Sequence, residues 1–151
     1  MAPSMDVDVS SERDTEERAA IHGGAMGIIY ADLRLSNMGR PELEEITVNA
    51  IGDTGAIDLV VPEHIAIQLQ LTDLKPRELH LADGTRKMVR YAGPVKIEMQ
   101  GRDCVTGAAV MGDRVLLGAV PMEQMDVVLH PRTLQVVPNP ENPNVPVFMA
   151  K

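Results

Sequence analysis

The sequence predicts an all-β barrel or sandwich with one or two short helices. Apolar and polar residues alternate with period two in one segment after another, the pattern of half-buried strands. Gly, Pro, Asn and Asp punctuate these segments at short, regular intervals. Only one stretch shows helical spacing. The core must be built from Val, Ile, Leu, Ala and Met, because Tyr30, Tyr91 and Phe148 are the only aromatic residues among 151.

Residues 1–25 stand apart from this pattern. Six carboxylates (Asp6, Asp8, Glu12, Asp14, Glu16, Glu17) against Arg13 and Arg18 leave a charge of −4, half of the chain's −8. With Ser, Pro and the Gly23-Gly24 pair, the composition predicts a solvated, disordered arm; a propeptide is the alternative.

The domain is expected over residues 26–138. In GIIYADLRL, Ile29, Ala31, Leu33 and Leu35 share one face; in EITVNA, Ile46, Val48 and Ala50 do the same. DLVVP is a short apolar strand ended by Pro62. PEHIAIQLQL is the helix candidate, with Pro62 suited to its first position, Glu63 near the positive end of the dipole, and Ile65 and Leu69 one turn apart. RELHLADGTRKMVRY predicts a hairpin from Leu79 to Tyr91 with a tight turn at Asp83-Gly84. PVKIEM places Val95, Ile97 and Met99 on one face. CVTGAAVMG, VLLGAV, a brief PMEQM turn or helix, DVVLHP and TLQVVP follow. Residues 139–151, with four prolines in NPENPNVPVFMAK, predict an extended tail on the surface.

Composition also bounds function. A net charge of −8 and so few aromatics leave neither a phosphate-binding patch nor a stacking surface, so nucleic acid is not an expected partner. No apolar run reaches membrane-spanning length, and no basic patch with an apolar run opens the chain, so neither a membrane helix nor a secretory signal is expected. The single Cys104 suits a reducing cytoplasm and reads as a buried small hydrophobe. His64, His80 and Asp83 lack recognisable ligand spacing, so neither a metal nor another cofactor is expected.

One stretch carries chemistry. NAIGDTGAID holds Asp53 between Gly52 and Gly55, directly after an apolar strand. An Asp-Thr-Gly triplet at a strand end is either a turn, in which Asp caps its own backbone, or a catalytic loop. Its surroundings bear on the choice. Downstream come the hairpin with Ala82-Asp83-Gly84-Thr85 at its tip, then the apolar pair Leu116-Leu117 before Gly118, then a short helix.

In this order of motifs, residues 26–138 resemble the retropepsin-like aspartic proteases, most closely the small bacterial members. The wording VVPEHIAIQLQL, LADGT and MGDRVLLGAVPMEQMDVVLHP extends the resemblance, as does the tail VPNPENPNVPV. It implies a single-lobed acid-protease barrel in which Asp53 is the catalytic carboxylate. Thr54, Gly55 and Ala56 support the loop, Leu81, Ala82, Asp83, Gly84 and Thr85 form a flap, and Leu116, Leu117 and Gly118 pack behind the site. Because the triplet occurs once, the resemblance implies a homodimer that pairs Asp53 with its own copy. Thr54 would hydrogen-bond across the two-fold axis, and an extended polypeptide would be the substrate. Strand alternation suggests Leu59, Val61, Met88 and Ile97 as pocket-lining residues. Three positions depart from the viral members: Gly52 replaces a bulky apolar residue, Ile57 a frequently polar one, and Ala119 an arginine. The alternatives are a catalytically silent dimerisation or peptide-binding module and, ranked behind it, a metal-dependent enzyme using His64, His80 and Asp83.

Overall fold

The computed structural model describes residues 27–80 and 83–148. The segment expected to form an acidic arm lies outside the described residues. β1 (Tyr30–Asn37) forms where the alternation is cleanest: Ala31, Leu33 and Leu35 are buried between exposed Tyr30, Asp32 and Arg34. β2 (Ile46–Gly52) runs antiparallel to it, with Leu35 opposite Ile46 and Ala31 opposite Ala50. β3 (Leu59–Val61) follows, then α1 (Glu63–Gln68). β4 (Thr72–His80) and β5 (Arg86–Met99) form a long hairpin, and β6 (Arg102–Val110) returns antiparallel to β5. β7 (Leu116–Leu117), α2 (Ala119–Met125), β8 (Val127–His130) and β9 (Gln135–Pro138) complete the order.

The strands run β4-β5-β6-β3-β7-β2-β1-β9-β8, and a further pairing of β1 with β5 closes six of them into a barrel. Closure removes free edges from those six. Leu33 and Leu35 from β1, Leu59 and Val61 from β3, Val95 and Ile97 from β5, and Leu117 from β7 fill the interior, all fully buried. Tyr91, also buried, lies against Gly107 of β6, where any Cβ would overlap its ring.

Pro62 occupies the cap position of α1, with an extended ψ of 162°, one place earlier than expected. Ile65 and Leu69 are buried as their spacing predicts. The helix is too short to satisfy its own ends, and a side chain from β1 does so at the C-terminus. Asn37 Nδ2 donates to the carbonyls of Leu69 (2.9 Å) and Gln70 (3.0 Å), and its Oδ1 accepts the Gly39 N–H (2.8 Å). Asn37 is therefore buried without an unmet polar atom.

The structure corrects three expectations. VLLGAV is a strand only at Leu116–Leu117; from Ala119 it is already helix, because Ala119 and Val120 donate their N–H groups to the carbonyls of Ala56 and Ile57. The hairpin starts at Thr72 rather than Leu79, and His80 pairs with Arg86, a register centred on Asp83, so Asp83-Gly84 is not a two-residue turn. The tail does not run extended: it turns through residues 140–145 and is tied down. Asp126, in a left-handed conformation at the end of α2, accepts bonds from Asn139 Nδ2 (3.1 Å), Asn142 Nδ2 (2.7 Å) and the Val147 N–H (3.0 Å). Buried Arg102 donates to the carbonyls of Met125 (2.9 Å), Asp126 (2.8 Å) and Asn142.

Candidate active site

β2 ends at Gly52, and its last residues pair in parallel with β7, Ile51 opposite Leu116 and Gly52 opposite Leu117. The chain then leaves the sheet as a loop suspended from both strands. The Asp53 N–H donates to the Leu117 carbonyl (3.0 Å), and the Asp53 carbonyl accepts the Ala56 N–H (3.1 Å). Asp53 Oδ1 accepts the Gly55 N–H at 2.9 Å. That bond closes an Asx-type turn and holds the carboxylate in one orientation. Its other oxygen has no hydrogen-bond partner among the described residues. Asp53 is half-buried, while Thr54 and Gly55 are exposed.

Leu116, Leu117 and Gly118 lie against this loop. Leu117 is buried in the core behind it, and Leu116 faces the opposite side of the sheet. A Cβ on Gly118 would overlap the Asp58 carbonyl oxygen and stand 2.7 Å from Ile57 C and 2.8 Å from Ala56 O. All three are backbone atoms, so only glycine lets α2 begin against residues 56–58. Gly52 also has a steric explanation. A Cβ there would come within 2.8 Å of Val136 Cγ2 and 3.1 Å of Leu129 Cδ2. The bulk that a larger residue would supply comes instead from β8 and β9.

Of the residues expected at the hairpin tip, Leu81 and Ala82 lie outside the described residues. Asp83, Gly84 and Thr85 are exposed, and nothing lies within 4 Å of a Cβ built on Gly84. Gly84 has φ +90°, a conformation suited to glycine. Thr85 Oγ1 (2.7 Å) and the Thr85 N–H (2.9 Å) both donate to Asp83 Oδ1, which lowers the Asp83 pKa below its ordinary value.

Three of the four expected pocket residues are core residues. Leu59, Val61 and Ile97 are fully buried, while Met88 is 61% exposed and pairs with Glu78. In β3 the expectation has the wrong side: Leu59 and Val61 enter the core, and Val60, itself buried, faces the other side of the sheet. It meets Val89 and Ala109, and Leu79, Met111 and Leu116 pack around them in a second apolar cluster beneath the hairpin. The sequence signal for this cluster was the Leu79/Val89 face of the hairpin.

Cys104 is half-buried, with Sγ 4.0 Å from the Pro121 carbonyl. Burial, with a smaller effect from Asp103, pushes its thiol up to about 11, so it stays protonated near neutral pH and is a poor nucleophile. His64 is exposed on α1, and His80 lies 3.4 Å from Glu78. Among the described residues no group of three or more His, Cys, Asp or Glu side chains is placed to hold a metal ion. Nor is any helix among them long and apolar enough to cross a membrane.

No family model matches the chain, and no curated protein matches it.

Proposed function

We propose that this chain is a cytoplasmic, retropepsin-like aspartic endopeptidase that acts as a homodimer. The observation that carries the proposal is the Asp53 loop. It presents one oriented, half-buried carboxylate at the end of a strand, backed by β7 and by a glycine pressed onto the loop backbone. Peptide hydrolysis without a covalent intermediate needs a base to activate water and an acid to polarise the carbonyl. Two carboxylates in close proximity share one proton and supply both roles, titrating as a unit. One chain contributes one of them, and a second copy related by a two-fold axis supplies the other. Thr54 is exposed beside Asp53; in this reading it would bond across that axis, and the hairpin would close over an extended substrate.

The test is proteolysis of unfolded proteins from acidic to neutral pH. Asp53→Asn keeps the Oδ1 acceptor for Gly55 and thus the loop. It is expected to lower turnover by about 10²- to 10⁴-fold while leaving the melting temperature and dimer intact. Specific activity should fall on dilution as the dimer dissociates. An Asp53→Asn variant that cuts as fast as the wild type overturns the mechanism. A stable dimer that binds peptide without cleaving it establishes the silent module instead.

A further inference from the structure

The two ends of the sheet are built differently. At one end, β4 carries Lys75, Pro76 and Arg77 beside a register shift, features that discourage pairing with another chain. At the other end, β8 reads Val127-Val128-Leu129-His130, with no acid, lysine, arginine or proline and an unbroken register against β9. Val127 is buried and the other three residues are half-buried. The edge of β8 therefore has none of the devices that protect the edge of β4.

The hydrogen-bond pattern shows which groups that edge presents. In an antiparallel ladder, pairs that exchange backbone bonds alternate with pairs that do not. The Asn139 N–H donates to the Asp126 carbonyl (2.9 Å), so the register makes Val128–Val137 and His130–Gln135 the bonded pairs. Val127 stands opposite Pro138, which has no N–H to give. The N–H and C=O groups of Val127 and Leu129 consequently point away from β9. Among the described residues none of these four groups has a hydrogen-bond partner. Unpaired backbone groups on buried or half-buried residues are costly, so the edge favours a partner that supplies a matching strand.

The four groups lie symmetrically about Val128. A second β8, laid antiparallel about a two-fold axis through Val128, puts Val127 opposite the copy's Leu129 and Leu129 opposite the copy's Val127. Both are bonded pairs, so one operation satisfies all four groups on each chain and closes the assembly at two. The strand also lies against the Asp53 loop. Leu129 Cδ2 is 3.1 Å from the position of a Cβ on Gly52, the residue before Asp53.

We propose that β8 is the surface on which a second copy of this chain docks, the two strands pairing antiparallel about Val128 to join two sheets into one. The inference rests on the homodimer of the proposed function, in which one Asp53 is incomplete without another, and not on peptide cleavage.

The experiment follows amide hydrogen exchange of the full-length chain, resolved by residue with NMR, on serial dilution. The Val127 and Leu129 amides are expected to be protected in concentrated protein and to lose that protection as the dimer dissociates. The Val128 amide, bonded to β9, should stay protected throughout. A second measurement puts a thiol on the axis. Non-bonded antiparallel pairs hold their Cα atoms about 4.5 Å apart, within disulfide range. Val128→Cys in a Cys104→Ser background should therefore oxidise to a covalent dimer, whereas Leu74→Cys, exposed on β4, should not. Val128→Lys sets two like charges on the axis and should weaken association by about tenfold or more at an unchanged melting temperature. Exchange at Val127 and Leu129 that does not depend on concentration overturns the inference; if it is slow even in the monomer, the chain covers this edge itself. A dimer that Val128→Cys does not crosslink, or that a folded Val128→Lys does not weaken, uses another surface; it overturns the inference and leaves the protease reading intact. A dimer linked through β8 that cleaves no polypeptide defeats the protease reading and leaves this inference standing.

Discussion

Gly52 and Gly118 border the same loop, yet they are glycines for different reasons. At Gly52 the obstacles are the side chains of Val136 and Leu129; at Gly118 they are backbone atoms of residues 56–58. Side chains can repack at a cost, whereas backbone can yield only by moving the loop that carries Asp53. Gly52→Ala is therefore expected to lower stability by about 1–3 kcal/mol, the range for overpacking, with activity per folded molecule retained. Gly118→Ala should lower turnover by about 10²-fold, the order expected when reacting groups are misplaced by an ångström. Urea denaturation and kcat measured on both variants separate the two effects. The residue types around Asp53 were legible in the sequence; the cause of Gly52 was not, since Val136 lies more than eighty residues away.

Among the elements, the hairpin is the one least held by the core. Every residue of β4 except Leu79 is exposed, and its outer edge carries Lys75, Pro76 and Arg77 beside a register shift between Leu74 and Arg77. Charge, proline and irregular register all discourage edge-to-edge pairing with another chain. The hairpin is fixed at two points: near its base Arg90 bridges Asp73 to Glu63 of α1, and close to its tip Leu79 joins the Val60 cluster. Arg90→Ala is expected to speed amide hydrogen exchange in Thr72–Leu74 while leaving β1 and β6 unchanged, and exchange mass spectrometry checks it. Hydrophobic alternation alone could not show the hairpin's full length, because a strand exposed on both faces has no buried face to mark it. For the same reason the sequence pattern puts its start at Leu79, whereas the strand begins at Thr72.

The whole molecule is tied together by a polar network with little trace in the sequence. Arg102 follows a turn glycine and reads as a surface residue, yet it is 4% exposed and joins the start of β6 to the end of α2 and to the tail. Asp126 holds the other side of the tail. Hydrogen bonds from Asn139 and then the Val147 N–H, helped by Asn142 and the Arg102 charge, lower its pKa below the ordinary value. A carboxylate whose folded pKa is depressed favours the folded state fully above its unfolded pKa. That contribution is lost as pH falls through the lower folded value. The stability difference between wild type and Asp126→Asn is therefore expected to be constant near neutral pH and to shrink below about pH 4, near the ordinary carboxylate value. Denaturation midpoints across that range test it.

Strand identity and buried faces could be read from local pattern, as Ile29, Ala31, Leu33 and Leu35 and then Val95, Ile97 and Met99 show, all buried. Period two depends only on which residues shun water, and every residue carries that information itself. Which buried side of the sheet a residue joins is a different matter. Leu59, Val60 and Val61 are all apolar, and only barrel closure sends the outer two into the main core and Val60 into the separate cluster beneath the hairpin. The placement of Asp53 against Leu117, the room left at Gly52 and the pairing of Arg102 with the tail share that origin. They depend on contacts between residues distant in sequence, and those distances are set when the sheet closes on itself.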